Sequence, residues 1–532
     1  MNQDYDAIVV GGGLAGLTAA AFLSRAGKSA LLCEQAEKCG GLVNTFEREG
    51  FYYDGGIRAL ENSGVLFPML RQLGIHLDFV PNVISIGIED KIIPLKSEDS
   101  VEEYQNLLID LYPESRQDIV AIIGQIRLIM KYMEVQYGID NPLFLDMKAD
   151  RDYMMKTILP WMFKYAMIMP KISKITGSTV EFLKKYSNNQ NLLDIIAQHF
   201  FADTPAYFAL SYMKLYLDYY YPKGGTGTIV TKLVDLITEN NGTIRNLTEI
   251  VELDAGKHTI TTARGEVLHY RRLIWAADQQ ALYRLLKVEN IGDVKVRAEI
   301  EKRKALISNK AGNDSIFTMY LGLNLGKEYF SNKCTAHLFY TPDRSGSSAT
   351  GPIPYGQDRQ TIEKWMEKLF ALTTYEISIP ALRDESMAPA GKTGLIVSLL
   401  FDYKLVKYIE GQGWYEAFKS QCEQNMIKVL NRTLFPGIEG AVQHVFSSTP
   451  VTLQKLTGNH EGAITGWSFT NQPVPAESKL PRIMKAIQTP IPGVYQAGQW
   501  TFSPSGLPVS LLTGKIAADR VIKDFKKQGL KR

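Results

Sequence analysis

Cysteine is scarce in this chain of 532 residues. Cys33, Cys39, Cys334 and Cys422 stand in neither a metal-binding spacing nor a disulfide framework. That scarcity fits a reducing compartment and excludes a scaffold held together by disulfides. Excess charge of one sign is lacking too: the formal net charge is +3, too small to argue for a nucleic-acid partner. There is no run of about 18 uncharged apolar residues, so no membrane-spanning helix is expected. The first strand starts near Asp6, which leaves no room for a signal peptide before it and makes a cytoplasmic location the expectation. No Ser/His/Asp set, metal cluster or paired-acid motif stands out, so no metal and no catalytic side chain is assigned. What remains is an ordinary globular composition, 45% hydrophobic and 22% charged, in a chain long enough for two or more domains.

The most informative stretch is Ala7-Ile8-Val9-Val10-Gly11-Gly12-Gly13-Leu14-Ala15-Gly16. An apolar run enters Gly11-x-Gly13-x-x-Gly16, a small-residue helix follows, and a second apolar run ends at Glu34, about 20 residues on. Gly11 permits the turn, Gly13 allows a pyrophosphate to approach the backbone, and Gly16 lets helix and strand pack closely. The first N–H groups of the helix, with Leu14 and Ala15 among its first residues, offer an anion site. Glu34, followed by Gln35, can accept hydrogen bonds from ribose hydroxyls. Two glycine pairs come soon after, in Gly40-Gly41-Leu42 and Gly55-Gly56-Ile57. They suit a flavin dinucleotide, whose ribitol and ring reach further along a protein than a nicotinamide cofactor does.

Residues 60–220 read as mostly helical, with apolar residues three and four apart through Ile119, Ile122, Ile123, Ile126 and Ile129. Tyr153 to Ile175 is rich in methionine, carries Trp161 and is interleaved with Lys156, Lys164, Lys171 and Lys174. It reads as a membrane-interface segment, as a plastic wall around a long apolar ligand, or as a buried helix pair, broken at Pro160 and Pro170. His199 reads as a core histidine. Tyr219 to Thr228 contains a Pro-x-Gly-Gly turn but is not taken as a second nucleotide site, because no hydrophobic strand is expected before it and no acid-tipped strand after it. Residues 290–480 read as rich in strands, and 341–359 as a mobile loop. At the carboxyl end, Gly493 to Gly498 is a strand running into glycine. Ser503 to Ala518 is a turn and a small-faced helix, whose amino terminus offers a second positive helix end.

Taken together, Gly11 to Arg58 and the last segment resemble the FAD-binding parts of the phytoene desaturase, carotenoid isomerase and retinol saturase group, within the wider amine-oxidase-like flavoproteins. The resemblance implies an α/β (α+β overall) fold, with a Rossmann-like FAD-binding domain split between both chain ends, a mixed β-sheet substrate domain and a helical insertion. It implies FAD parts at 1–75, 221–289 and 485–532, a helical substrate- or membrane-facing insertion at 76–220 and a β-rich substrate domain at 290–484. It would place Ile250 and Val251 beside the adenine end, Ala276 in a small-residue role near the cofactor, and Gly498, Leu507, Pro508 and Val509 at the flavin end. The implied activity is desaturation, saturation or cis–trans isomerisation of carbon–carbon double bonds in a long apolar substrate such as a carotenoid, retinoid or other isoprenoid. A quinone, oxygen or another redox partner would exchange electrons, and the substrate's insolubility would bring the enzyme to a membrane surface as a peripheral protein. Two other readings stay open: an amine-oxidase-type enzyme, to whose aromatic cage Trp467 and Trp500 could contribute, and a non-enzymatic prenyl-binding chaperone of the same fold.

Overall fold

The computed structural model describes residues 5–146, 148–527 and 529. Its first sheet is assembled from segments far apart in the chain. Tyr5–Val10 pairs in parallel with Ala30–Cys33 on one side and with the Tyr270–Trp275 part of Val267–Trp275 on the other. Thr243–Arg245 extends the sheet beyond Ala30–Cys33, and Val494–Gln496, from the carboxyl end, pairs in parallel with Leu273–Trp275. Ile250–Asp254 and Thr259–Thr262 add an antiparallel extension. Val9, Leu32 and Ile274 are fully buried, as expected for parallel strands covered on both faces.

The helix Leu14–Arg25 is buried along almost its whole length, from Leu14 to Ser24. A helix surrounded in this way must be small-sided, which accounts for the run Thr18-Ala19-Ala20-Ala21. The last helix, Leu507–Lys527, crosses it so closely that a Cβ on Gly514 would stand 2.4 Å from the Ala15 carbonyl oxygen. Glycine at 514 is therefore a packing requirement, and it locks the carboxyl end onto the amino end.

A second sheet of seven strands runs in the order Val442–Ser448, Ser315–Leu323, Thr393–Phe401, Tyr375–Ser378, His337–Thr341, Ile84–Ile88, Lys91–Leu95. All neighbours are antiparallel except His337–Thr341 with Ile84–Ile88. The front of the stretch read as mostly helical therefore contributes strands to this sheet. Arg359–Leu372 and Tyr415–Thr433 cover one side of it through Met366, Phe370, Phe418 and Met426, all fully buried. The helices Ser100–Leu111, Arg116–Tyr137, Gln190–Ala197 and Ala206–Leu215 build a further core, with the isoleucines of 119–129 inside it.

Three local expectations are corrected. Tyr219–Pro222, before the Pro-x-Gly-Gly turn, is a strand, but it pairs antiparallel with Leu60–Glu61 and Phe79–Pro81, which is not a parallel nucleotide-binding unit. The loop at 341–359 is pinned rather than free: Ser348 donates from N and Oγ to Asp194 at 2.7 and 2.8 Å, and Ser347 N donates to Gln198 Oε1 at 2.8 Å. Pro160 and Pro170 do not break the methionine-rich stretch. A π-helical turn at Met154–Ile158 runs directly into a helix at Leu159–Ile172, with Pro160 just after the π-helical turn and Pro170 in the last turn.

That helix has no buried residue. Trp161 is tied down by its Nε1–H, which donates to the Val135 carbonyl, while Met155, Met162, Phe163 and Met167 project outward. The alternative of a buried helix pair is thereby corrected. Met162, Phe163 and Met167 are 55%, 69% and 64% exposed. Changing all three to serine is expected to alter stability by only about 1 kcal/mol, as for surface positions generally. Leu321→Ala, in the fully buried strand core, is expected to cost about 2–5 kcal/mol. Thermal midpoints of the two variants check this, and a triple variant as damaged as Leu321→Ala would show that the helix face is packed.

Candidate functional site

The turn after Tyr5–Val10 is shaped by its glycines. Gly11 has φ +105°, and a Cβ on Gly16 would lie 1.9 Å from the Gly11 carbonyl oxygen. Gly13 is the extended residue that starts the helix, and a Cβ there would meet nothing within 4 Å. The helix has no side-chain cap and no acid in its first turn, so among the described residues no side chain caps its positive end in place of an anion. Gly40 bridges to Gly13, and its N–H donates to Gly12 O at 2.8 Å, so Gly40 and Gly41 form the opposite rim.

Glu34 leaves the end of Ala30–Cys33 almost buried. Its Oε2 accepts from Gly12 N at 2.6 Å and its Oε1 from Ala36 N at 2.8 Å. The carboxylate is thus fixed in the turn with lone pairs to spare for hydroxyl donors. Gln35 lies along a groove shared with residues 246–249, because Ala36 O accepts from Leu247 N and Glu34 O from Thr248 N. Ile250 follows as a buried residue and Val251 is 42% exposed, both on the outermost antiparallel strand. Burial pushes the Cys33 and Cys39 thiols up to about 12, which leaves no thiolate beside the turn.

The chain ends meet at the same place. Ala276 N donates to Val10 O, and a Cβ on Gly11 would come 2.7 Å from Ala276 O. Gly498 donates to Thr513 Oγ1 at 2.9 Å, and a Cβ on it would be 3.3 Å from Ala15 Cβ. Leu507, Pro508 and Val509 form the first turn of the last helix. Gly11, Gly13, Leu14, Ala15, Gly16, Glu34, Gly40, Gly41, Ala276 and Gly498 therefore surround one helix terminus. These features fit a dinucleotide: open backbone at Gly13, a helix end lacking an internal anion, and a fixed acid.

Leu42, Gly55, Gly56 and Ile57 stand apart from that cluster. They form one wall of a cavity of about 260 Å³ that is partly open to the outside. The absence of a side chain on Gly56 is needed by the chain itself, since a Cβ there would lie 1.8 Å from Leu42 O. Asp54, just before, is fully buried and accepts from Tyr221 Oη at 2.9 Å, Thr45 Oγ1 at 2.8 Å and Thr226 N at 2.8 Å. This explains the Pro-x-Gly-Gly turn, which closes over Asp54. Phe200, Phe201, Phe208 and Tyr212 bring aromatic surface from the helical part, and Phe339, Glu376, Ser398 and Leu400 come from the second sheet.

His199 lines this cavity rather than completing a core. Among the described residues its ring has aromatic neighbours, Phe200 and Phe339, and no hydrogen-bond partner. Two polar residues that sequence reasoning missed are Glu376 and His337, paired at 3.0 Å on adjacent strands. The only sequence signal for Glu376 is an acid inside the apolar strand Tyr375-Glu376-Ile377-Ser378.

Burial pulls His199 down from 6.5 to about 4. The unfolded chain therefore binds the His199 proton first as pH falls, so stability drops between pH 6.5 and 4 and changes no further below that from this residue. His199→Gln is expected to flatten this part of the acid dependence, measured as thermal midpoint against pH. An unchanged slope would show that the ring is hydrated.

Comparison with known proteins agrees with this geometry. Residues 9–73 match a family profile described as an NAD(P)-binding Rossmann-like domain. The chain is 23% identical to the all-trans-retinol 13,14-reductase of Macaca fascicularis, over 98% of this chain and 86% of that protein. It is also 23% identical to the chloroplastic prolycopene isomerase of Arabidopsis thaliana, over 98% of this chain and 83% of that one. In fold it is similar to a solved putrescine oxidase, with a TM-score of 0.60 at 12% identity, covering 98% and 99% of the two chains. The Rossmann-like turn and the likeness along almost the whole chain make this protein similar to the retinol 13,14-reductases and the prolycopene isomerases.

Proposed function

We propose that this protein is an FAD-dependent oxidoreductase that acts on carbon–carbon double bonds of a long apolar polyene, a retinoid or carotenoid. The observation that carries the reading is the adjacency of two features: a dinucleotide cradle at the terminus of Leu14–Arg25, and an aromatic cavity walled by Leu42 and Gly55 to Ile57. The names of the full-length relatives, which refer to retinol and prolycopene, support the substrate class.

Each part has a physical task. The helix terminus and the Gly11–Gly16 turn hold the pyrophosphate by N–H donation and dipole. Glu34 accepts from the adenosine ribose. The last helix presents its amino terminus, at Leu507 to Val509, to the far end of the cofactor. Bound there, FAD would supply the electron transfer to or from the double bond. The aromatic wall orients the chain of the substrate and excludes water. A single parallel dinucleotide unit supports a quinone, oxygen or another small redox partner rather than a nicotinamide bound at a second fold.

The amine-oxidase alternative loses its aromatic cage. Trp467 and Trp500 are 1% and 2% exposed and pack edge to face at 4.9 Å within a core cluster, away from the cavity lining. The chaperone alternative gives no reason for the retained cradle. Peripheral attachment to a bilayer belongs to the same proposal. The helix Leu159–Ile172 presents exposed Met162, Phe163 and Met167 among exposed Lys164, Lys171 and Lys174, a pattern suited to an anionic lipid interface. No helix among the described residues is long and apolar enough to cross a membrane.

Two measurements test this. Purified protein should show flavin absorbance, and acid precipitation should release FAD. Glu34→Ala should lose FAD on dilution, because each hydrogen bond to a charged acceptor contributes about 1.5–3 kcal/mol, equivalent to roughly 10- to 100-fold in affinity. Unchanged retention would show that Glu34 is not the ribose ligand. Separately, the Met162/Phe163/Met167 serine variant should bind anionic vesicles at least several-fold more weakly with its FAD content intact. Equal binding would remove this helix as the membrane contact.

A further inference from the structure

The polar end of the cavity is a chain of fixed hydrogen bonds. Arg383 donates from Nη1 to Asn82 Oδ1 at 2.8 Å. An arginine can only donate, so the oxygen of the Asn82 amide faces it and the NH2 faces the other way. That NH2 donates to His337 Nδ1 at 3.1 Å. Nδ1 is therefore the acceptor nitrogen, Nε2 carries the proton, and Nε2–H donates to Glu376 Oε1 at 3.0 Å. His337 is 2% exposed, whereas Glu376 keeps 32% of its side-chain surface open and lines the cavity.

We propose that Glu376, positioned by His337, recognises the polar end of the substrate, accepting a hydrogen bond from a terminal hydroxyl and repelling a terminal carboxylate. The inference rests on the reading of this cavity as the polyene site. Among the described residues Glu376 has one hydrogen-bond donor and no ion pair with a guanidinium. Arg58 also lines the cavity, but its guanidinium is turned to Ser398 Oγ at 2.7 Å, to Asp54 O at 2.6 Å and to Gly56 O, and Arg383 is engaged by Asn82 and by Ser378 Oγ. Burial pushes the Glu376 carboxyl up, but the His337 hydrogen bond and the nearby charges of Arg58 and Arg383 outweigh it and hold the group below its ordinary value, hence ionised. Burial keeps His337 below its ordinary value, and its Nε2–H orients the carboxylate. An ionised carboxylate only accepts. Among the mainly apolar side chains of this cavity it rewards a ligand that donates, and a second carboxylate beside it meets both desolvation and like-charge repulsion.

The test uses flavin-loaded protein and two probes with one hydrocarbon skeleton, all-trans-retinol and all-trans-retinoic acid, titrated by fluorescence. Wild-type protein should bind the alcohol at least ten-fold more tightly than the acid. Glu376→Gln, which adds a donor and removes the charge, should keep its flavin and thermal midpoint while the preference shrinks at least ten-fold, mainly through tighter binding of the acid. Equal affinities in wild type overturn the assignment without any variant, so the test survives a variant that does not fold. Undiminished rejection of the acid by folded Glu376→Gln also overturns it, as does an equal loss of both probes, which marks a structural pair. Binding of neither probe to wild type, with flavin present, overturns the cavity reading and this assignment together. Loss of flavin binding instead would strike the cofactor reading alone.

Discussion

Two helices from opposite ends of the chain meet backbone to backbone. Gly514 lies against the backbone of Ala15, and Gly11 lies against the backbone of Ala276. Side chains at these positions would force the helices and strands apart by the width of a methyl group. Because they are absent, the carboxyl-terminal helix covers the amino-terminal helix, the strand Val494–Gln496 enters the first sheet, and three separate segments share one core. Everything between, over four hundred residues, is tethered at its base to a single rigid platform.

Asp54 does the corresponding work one layer up. It is fully buried, and it gathers Thr45, Tyr221 and Thr226 onto one carboxylate. An acid in that setting is satisfied by its donors, and the donors come from a hairpin and from a returning turn far along the chain. The Arg58 guanidinium then links the same loop to Ser398 of the second sheet. The cavity lies where these ties meet the helical part. Its one wall belongs to the platform and its others to the second sheet and the helices, so cradle and cavity are neighbours by construction.

Much of this was legible from residues in order. The turn at Gly11 to Gly16, its helix and the acid at Glu34 form one contiguous unit, whose geometry follows from local backbone freedom and period. The carboxyl-terminal turn and helix, the buried isoleucine face at 119–129 and the strands at 316–323 and 395–401 could be read for the same reason. The resemblance to the carotenoid and retinol group rests on these local motifs and agrees with the relatives found along the whole chain. The readings that failed concern surroundings. Whether Met162 and Phe163 face a core or the outside depends on what packs beside them, and nothing in their spacing states it.

The sequence by itself determined the dinucleotide turn, the fold class and the apolar periodicity, because each is set by residues within one or two turns or strands of one another. Only the tertiary structure decided the rest. His199 faces a cavity because the second sheet brings Phe339 against its ring, where among the described residues it meets no hydrogen-bond partner. Glu376 is ionised and aimed because His337, Asn82 and Arg383, from three separate segments, hand on one hydrogen-bond direction. Charge state and orientation are properties of an environment, and that environment exists only after distant strands have paired.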